Sequence, residues 1–154
     1  MLTSSKVGIT RKVLAIVAIL TGVAVFGGSP AMAAPAPAIT VDPTSGLTDG
    51  DRIAVYGSGF PAGQVIAVLQ CNDPGHNPEK IACDLAGHVT QPADAAGGFI
   101  AKLTVHSSFD GVNLVTGEPT GKVDCAVAPG CTVLAANVEG EPVFAEPVPI
   151  SFGS

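Results

Sequence analysis

The sequence predicts an all-β fold, an antiparallel immunoglobulin-like sandwich, and three observations carry that expectation. Beyond residue 33 the chain is rich in Gly, Pro, Val, Ala and Thr, and the whole sequence holds one Tyr and no Trp. No amphipathic helical period of useful length occurs; short β-type runs recur instead, roughly every eight to twelve positions, the spacing of a sandwich or barrel. All four cysteines lie in that same region, an even number suited to cross-linking a small exported fold.

The elements follow in order. "ITVD" (39–42) is a first strand, and the turn-rich "PTSGLTDGD" ends it. In "RIAVYG" (52–57), Ile53 and Val55 point one way while Arg52, Ala54 and Tyr56 point the other. "GSGFPAG" comes next. Its glycines come close to a dinucleotide-binding pattern, but three residues separate Gly59 from Gly63 and a β run follows, so the segment reads as a turn. "QVIAVLQC" (64–71) is the next strand. "GHVTQP" and "GFIAKLTV" flank the turn "ADAAG", and in the second of these Phe99, Ala101, Leu103 and Val105 alternate with Ile100, Lys102 and Thr104, a core face against a wet one. "GKVDCAV", "CTVLAANV" and "PVPISF" bring the total to about seven to nine strands, the range of an immunoglobulin-like sandwich. Pro142, Pro147 and Pro149 assign the last segment to a sheet edge or a late strand start. No helix is required anywhere.

Residues 1–33 read as a secretory signal peptide and residues 34–154 as one domain. Lys6, Arg11 and Lys12 precede the sixteen-residue apolar run "VLAIVAILTGVAVFGG", and Ala31-Met32-Ala33 offers a small-residue cleavage site. The run is short of the about 20 residues a membrane anchor needs, and no stop-transfer charge follows it. The expectation is a secreted protein with no membrane attachment after cleavage.

Cleavage removes three of seven basic residues and none of the thirteen acids. Arg52, Lys80, Lys102 and Lys122 then stand against thirteen carboxylates, a net charge of −9. Four scattered cations cannot neutralise a run of phosphates, so the polypeptide itself is a poor nucleic-acid binder. The cysteines allow three pairings. The local one, Cys71 with Cys83 and Cys125 with Cys131, is favoured because each pair flanks a Pro/Gly-containing loop. Cys71, His76, Cys83 and His88 lack the paired spacing of a zinc knuckle, and no C-x-x-C redox pair is present. His88 and His106, the latter beside Ser107 and Ser108, have no nucleophile signature nearby, so a hydrolase is a weak reading.

The blocks "APAPAITVDPTSGLTDGDRIAVYGSGFPAGQVIAVLQC", "IAC", "LTVHSSFDG", "VDCAVAPGC" and "ISF", in this order and with all four cysteines, resemble the neocarzinostatin family, secreted actinobacterial apoproteins that carry enediyne chromophores. The resemblance covers essentially the whole chain after the signal. It implies a seven-stranded antiparallel sandwich with a disulfide-tied hairpin subdomain at one end, and the same local cysteine pairing. It also implies a cleft between hairpin and sandwich that shields a small, reactive, hydrophobic molecule. The implied function is that of a non-catalytic carrier, a monomer without metal or conventional cofactor. DNA damage and antibacterial action then belong to a non-covalently bound enediyne-type chromophore, and DNA is reached only through it.

Carried over position by position, the resemblance puts the cleft at Ile81, His88, Val112, Leu114, Thr132, Ala136 and Asn137. Several of these are aromatic in the best-known member, as is the position two residues after the first cysteine, here Asp73. A cleft lined by Ile, Val and Leu is expected to bind apolar molecules with less preference for flat conjugated ones. The missing aromatics favour the alternative, an extracellular immunoglobulin-like interaction module without a small-molecule cargo.

Overall fold

The alternation written into "FIAKLT" becomes a strand with one dry face. In a computed structural model, which describes residues 27–75 and 77–153, Phe99, Ala101 and Leu103 are buried while Ile100 and Lys102 stay in water. Nine strands form among the described residues: β1 (Ala38–Asp42), β2 (Arg52–Ser58), β3 (Val65–Asn72), β4 (Val89–Pro92), β5 (Phe99–Thr104), β6 (Ser108–Val112), β7 (Pro119–Asp124), β8 (Cys131–Asn137) and β9 (Val148–Ile150). All pairings between these strands are antiparallel. The sheets run β1-β2-β5 and β4-β3-β8-β9, and β6-β7 is a two-stranded ribbon.

The count of seven strands is therefore corrected to nine. Seven make the two larger sheets, and the extra pair is the β6-β7 ribbon. β6, "SFDGV", was not expected as a strand, because Ser, Asp and Gly weaken its β signal. Its pairing partners make it one: Phe109 lies opposite Val123, and Val112 bridges Cys83. The strand expected over "GKVDCAV" stops at Asp124, where the disulfide turn begins. One 3₁₀ turn, Pro78–Lys80, occurs where no helix was expected; Asn77 caps it through Oδ1, which accepts from the Glu79 N–H at 3.1 Å.

The facing sheets enclose the main core, including Ile53, Val55, Leu103, Ile66, Val68 and Val133, each removed from water almost completely. Burying a side chain of this size contributes about 1.5–3 kcal/mol. Between β4 and β5 the expected turn closes on Asp94, whose Oδ1 accepts from Ala96 and Gly98 at 2.8 and 2.9 Å. Gly97 adopts φ +79° there with the Phe60 carbonyl where a Cβ would sit, so no other residue fits. "GSGFPAG" is the turn between β2 and β3, with Gly59 and Gly63 at φ +75° and +76° and Phe60 buried against Phe99. Pro149 sits in β9, the edge strand, as its missing N–H requires.

Ala33–Ser154 form one compact unit. Residues 27–32 have no regular structure, and the rest of the expected signal, 1–26, lies outside the described residues, as does His76.

Candidate functional site: a cleft under the stapled loop

β8 has no wet face, and that property locates the site. Val133 and Ala135 point into the main core, while Thr132 and Leu134, one step out of phase, are buried on the opposite side of the sheet. There Leu134 meets Leu69, Cys71, Cys83 and the half-buried Ile81 in a second apolar cluster. The cover is the loop from Cys71 to Cys83, closed by their disulfide; the second disulfide joins Cys125 to Cys131. Both sulfur pairs are thereby engaged and unavailable as metal ligands.

The cover does not reach all the way across. It leaves a cleft of about 830 Å³, large enough for a drug-sized molecule. Its apolar lining comes mainly from Ile81, Leu114, Val115, Leu134, Phe144 and several prolines, and its carboxylates are Asp73 and Glu146. Among the described residues neither a lysine nor an arginine lines it. Asp73 also caps its own turn, Oδ1 accepting from the Gly75 N–H at 3.1 Å.

Three asparagines, one on each wall, hold the cleft open. Asn72 spans the neck of the stapled loop, its amide donating to the Lys80 carbonyl at 3.1 Å and its Oδ1 accepting from the Ala82 N–H at 2.9 Å. Asn113 is buried; it donates to the Glu79 carbonyl at 2.8 Å and accepts from the N–H groups of Val115 and Thr116 at 2.8 and 3.0 Å. The third, Asn137, organises the segment leading to Phe144: its Oδ1 accepts from the Val143 N–H at 2.7 Å, and its amide donates to Gln64 Oε1 at 2.9 Å and to the Glu141 carbonyl at 2.8 Å. Behind the floor, buried Gln70 bonds both backbone groups of His106, at 2.6 and 2.8 Å, locking β3 to the β5-β6 connection.

The profile of the neocarzinostatin family matches residues 39–152, a span that includes both disulfides and every wall of the cleft. The chain belongs to the neocarzinostatin family. Macromomycin from Streptomyces macromomyceticus is 39% identical over 108 residues, covering 69% of this chain and 72% of that protein. The antitumor antibiotic C-1027 apoprotein from Streptomyces globisporus is 37% identical over 102 residues, 66% of this chain and 68% of that one. Among solved structures, macromomycin superposes with a TM-score of 0.62 at 36% identity, covering 75% of this chain and 99% of its own, and apokedarcidin with 0.57 at 31%, covering 77% and 100%.

Within this neocarzinostatin-family fold the seven positions taken from the resemblance separate into two groups. Ile81, Leu114 and Thr132 line the cleft. The other four stand outside its lining. Val112 exchanges backbone hydrogen bonds with Cys83 at 2.9 and 3.0 Å, Ala136 bridges Phe144, and Asn137 is the clamp just described. His88 is exposed, with Nδ1 2.6 Å from the Leu85 carbonyl oxygen. Sequence reasoning missed Asn113, Val115, Leu134 and Phe144. The signal for Phe144 was an aromatic residue set among prolines in "EPVFAEPVP", a segment read for its prolines alone.

His106 and Ser107 do not form a relay. Ser107 Oγ donates to Asp49 Oδ1 at 3.2 Å, and His106 Nδ1 stands 3.7 Å from the same oxygen. The Ser107 hydroxyl therefore donates its hydrogen bond to a carboxylate and not to an imidazole base.

Proposed function

We propose that this chain is an exported, non-catalytic carrier apoprotein whose cleft takes up a small hydrophobic molecule of the enediyne chromophore type and shields it from water and nucleophiles. The carrying observation is the apolar cleft of about 830 Å³ between the stapled loop and the sheet. Burial is the whole mechanism: the disulfide and the asparagine clamps hold the walls apart before the ligand arrives, so little ordering cost is added on binding. Ile81, Leu114 and Thr132 are the ligand contacts in this reading; Val112, Ala136 and Asn137 support them, and His88 takes no part. Membership of a family that includes an antitumor antibiotic apoprotein supports the reading.

Export follows from the signal-like residues 1–33, and the carrier acts as a monomer. DNA is reached only by the released cargo, since four cations against thirteen acids beyond residue 33 suit a carrier better than a groove reader. The cargo-free module loses ground because an open, rigidly held apolar cleft has no structural purpose in it.

Purification from a native culture supernatant, with absorbance recorded beyond the protein band and the native mass measured, tests the reading. A co-purifying chromophore is expected. A bare mass after gentle handling, with no uptake of added hydrophobic polycycles, would overturn it.

A further inference from the structure

Among the described residues Phe144 is the one aromatic side chain on a cleft otherwise lined by aliphatic, proline and short polar residues with two carboxylates, and it is 57% exposed. A single exposed aromatic residue is ordinarily unremarkable. This one is held rigidly on both sides. Before it, Asn137 gathers the loop Val138–Val143: its Oδ1 accepts from Val143, and its amide nitrogen reaches Gln64 Oε1 and the carbonyls of Glu139 and Glu141, with one amide hydrogen shared among acceptors. Gly140, at φ +81°, makes the tight reversal possible. After it, Ala145 is buried, and its N–H donates to the Ala135 carbonyl at 3.0 Å. The chain is thus pinned to β8 on either side of a ring that is left bare.

We propose that Phe144 is the specificity-determining residue of this cleft, a preset aromatic wall that selects flat unsaturated ligands over saturated ones of the same carbon skeleton, and that Asn137 is the positioning residue that holds it there. The inference rests on the carrier reading. A ring offers a conjugated partner stacking or edge-to-face attraction beyond simple area burial, and a saturated partner receives only the burial. Because the loop is already folded around Asn137, that attraction is not spent on ordering it. The expectation drawn from sequence, a cleft with less preference for flat conjugated molecules, did not take this wall into account.

The probes are methyl 2-naphthoate and its decahydro analogue, both uncharged, so Asp73 and Glu146 do not discriminate between them. Their dissociation constants are measured by equilibrium dialysis with the disulfide-intact chain, and the readout is the ratio of the two. Phe144→Leu is expected to weaken naphthoate binding about 2- to 10-fold and leave the decahydro ester within about a factor of two. Asn137→Asp keeps the acceptor for Val143 but loses every amide donor, and is expected to reproduce that change in ratio. The double variant should add nothing further. An unfolding midpoint for each variant confirms that the ratio is read on folded protein. A ratio unchanged by Phe144→Leu overturns the proposal with carriage intact; a ratio moved by Phe144→Leu but not by Asn137→Asp overturns the positioning role. If the unaltered chain binds neither ester, the carrier reading falls first and this inference with it.

Discussion

The side-chain amide of Asn113 donates to the carbonyl oxygen of Glu79 at 2.8 Å, and through that bond the turn after β6 is tied to the 3₁₀ turn of the stapled loop. These two segments are separate walls of one cleft, and this buried amide ties them together beside the backbone pair of Val112 and Cys83. Replacing Asn113 with Ala removes a donor to Glu79 and the acceptor used by Val115 and Thr116. The expected loss is about 1–3 kcal/mol of folding stability, the range for buried groups left without partners. Urea unfolding of the variant measures it; a loss below about 0.5 kcal/mol would mean that water replaces all three bonds.

Removing the Cys71–Cys83 disulfide by paired Cys→Ala replacement should cost about 3 kcal/mol, because its loop spans twelve positions. The Cys125–Cys131 loop spans six, and the same chain-entropy reasoning gives about 2 kcal/mol. Stability is the smaller contrast. Only the first bond closes a cleft wall, so uptake of a hydrophobic polycycle should fall far more in the first variant than in the second, as dialysis at matched folded fraction would reveal.

Gln70 offers a stricter test of the floor. Gln70→Leu preserves the bulk but strands both the N–H and the carbonyl of His106, with an expected cost of about 1–3 kcal/mol. Amide hydrogen exchange at His106 should accelerate in the variant, which distinguishes loss of this lock from general loosening of the core.

Asp49 gives the fold a pH dependence of known sign. The backbone N–H of Ser107 holds its carboxyl below the ordinary value of 3.8, helped by the Ser107 hydroxyl and by the positive charge of His106. A depressed carboxylate stabilises the fold above its unfolded value and loses that contribution as pH falls through the folded one. Asp49→Asn should therefore melt below the unaltered chain at pH 6, and the gap in Tm should close as the pH falls below the ordinary value of 3.8 and through the lowered folded-state value. A gap that persists at low pH would show that the carboxylate charge is not what matters.

The strands of the two large sheets were legible because a half-buried strand writes its burial into the sequence with period two. "FIAKLT" shows it plainly, and so do Ile53 and Val55. Local pairing of the cysteines was legible for a similar reason: each loop is short enough to close on itself. The cleft was legible only in part. Asn72, Asn113 and Asn137 look like loop residues, yet Asn113 and Glu79 are 34 positions apart, and nothing near either announces the bond. β6 was hidden for the same cause, since a run with Ser, Asp and Gly becomes a strand only when Val123 and Cys83 lie beside it. Phe144 was visible as a residue but not as a wall, because its place depends on a loop folded around a side chain seven positions earlier.

That β8 is dry on both faces constrains how this family member can change. Thr132 and Leu134 share a backbone with Val133 and Ala135, so enlarging the cleft floor also disturbs the closely packed interior behind it. The three asparagine-clamped walls carry no such burden; Leu114, Val115 and Phe144 stand in water at their tips. New cargo preferences can therefore arise at the rim without touching the sandwich, while the floor stays the same: a lock whose wards are cut only around the edge of the keyhole.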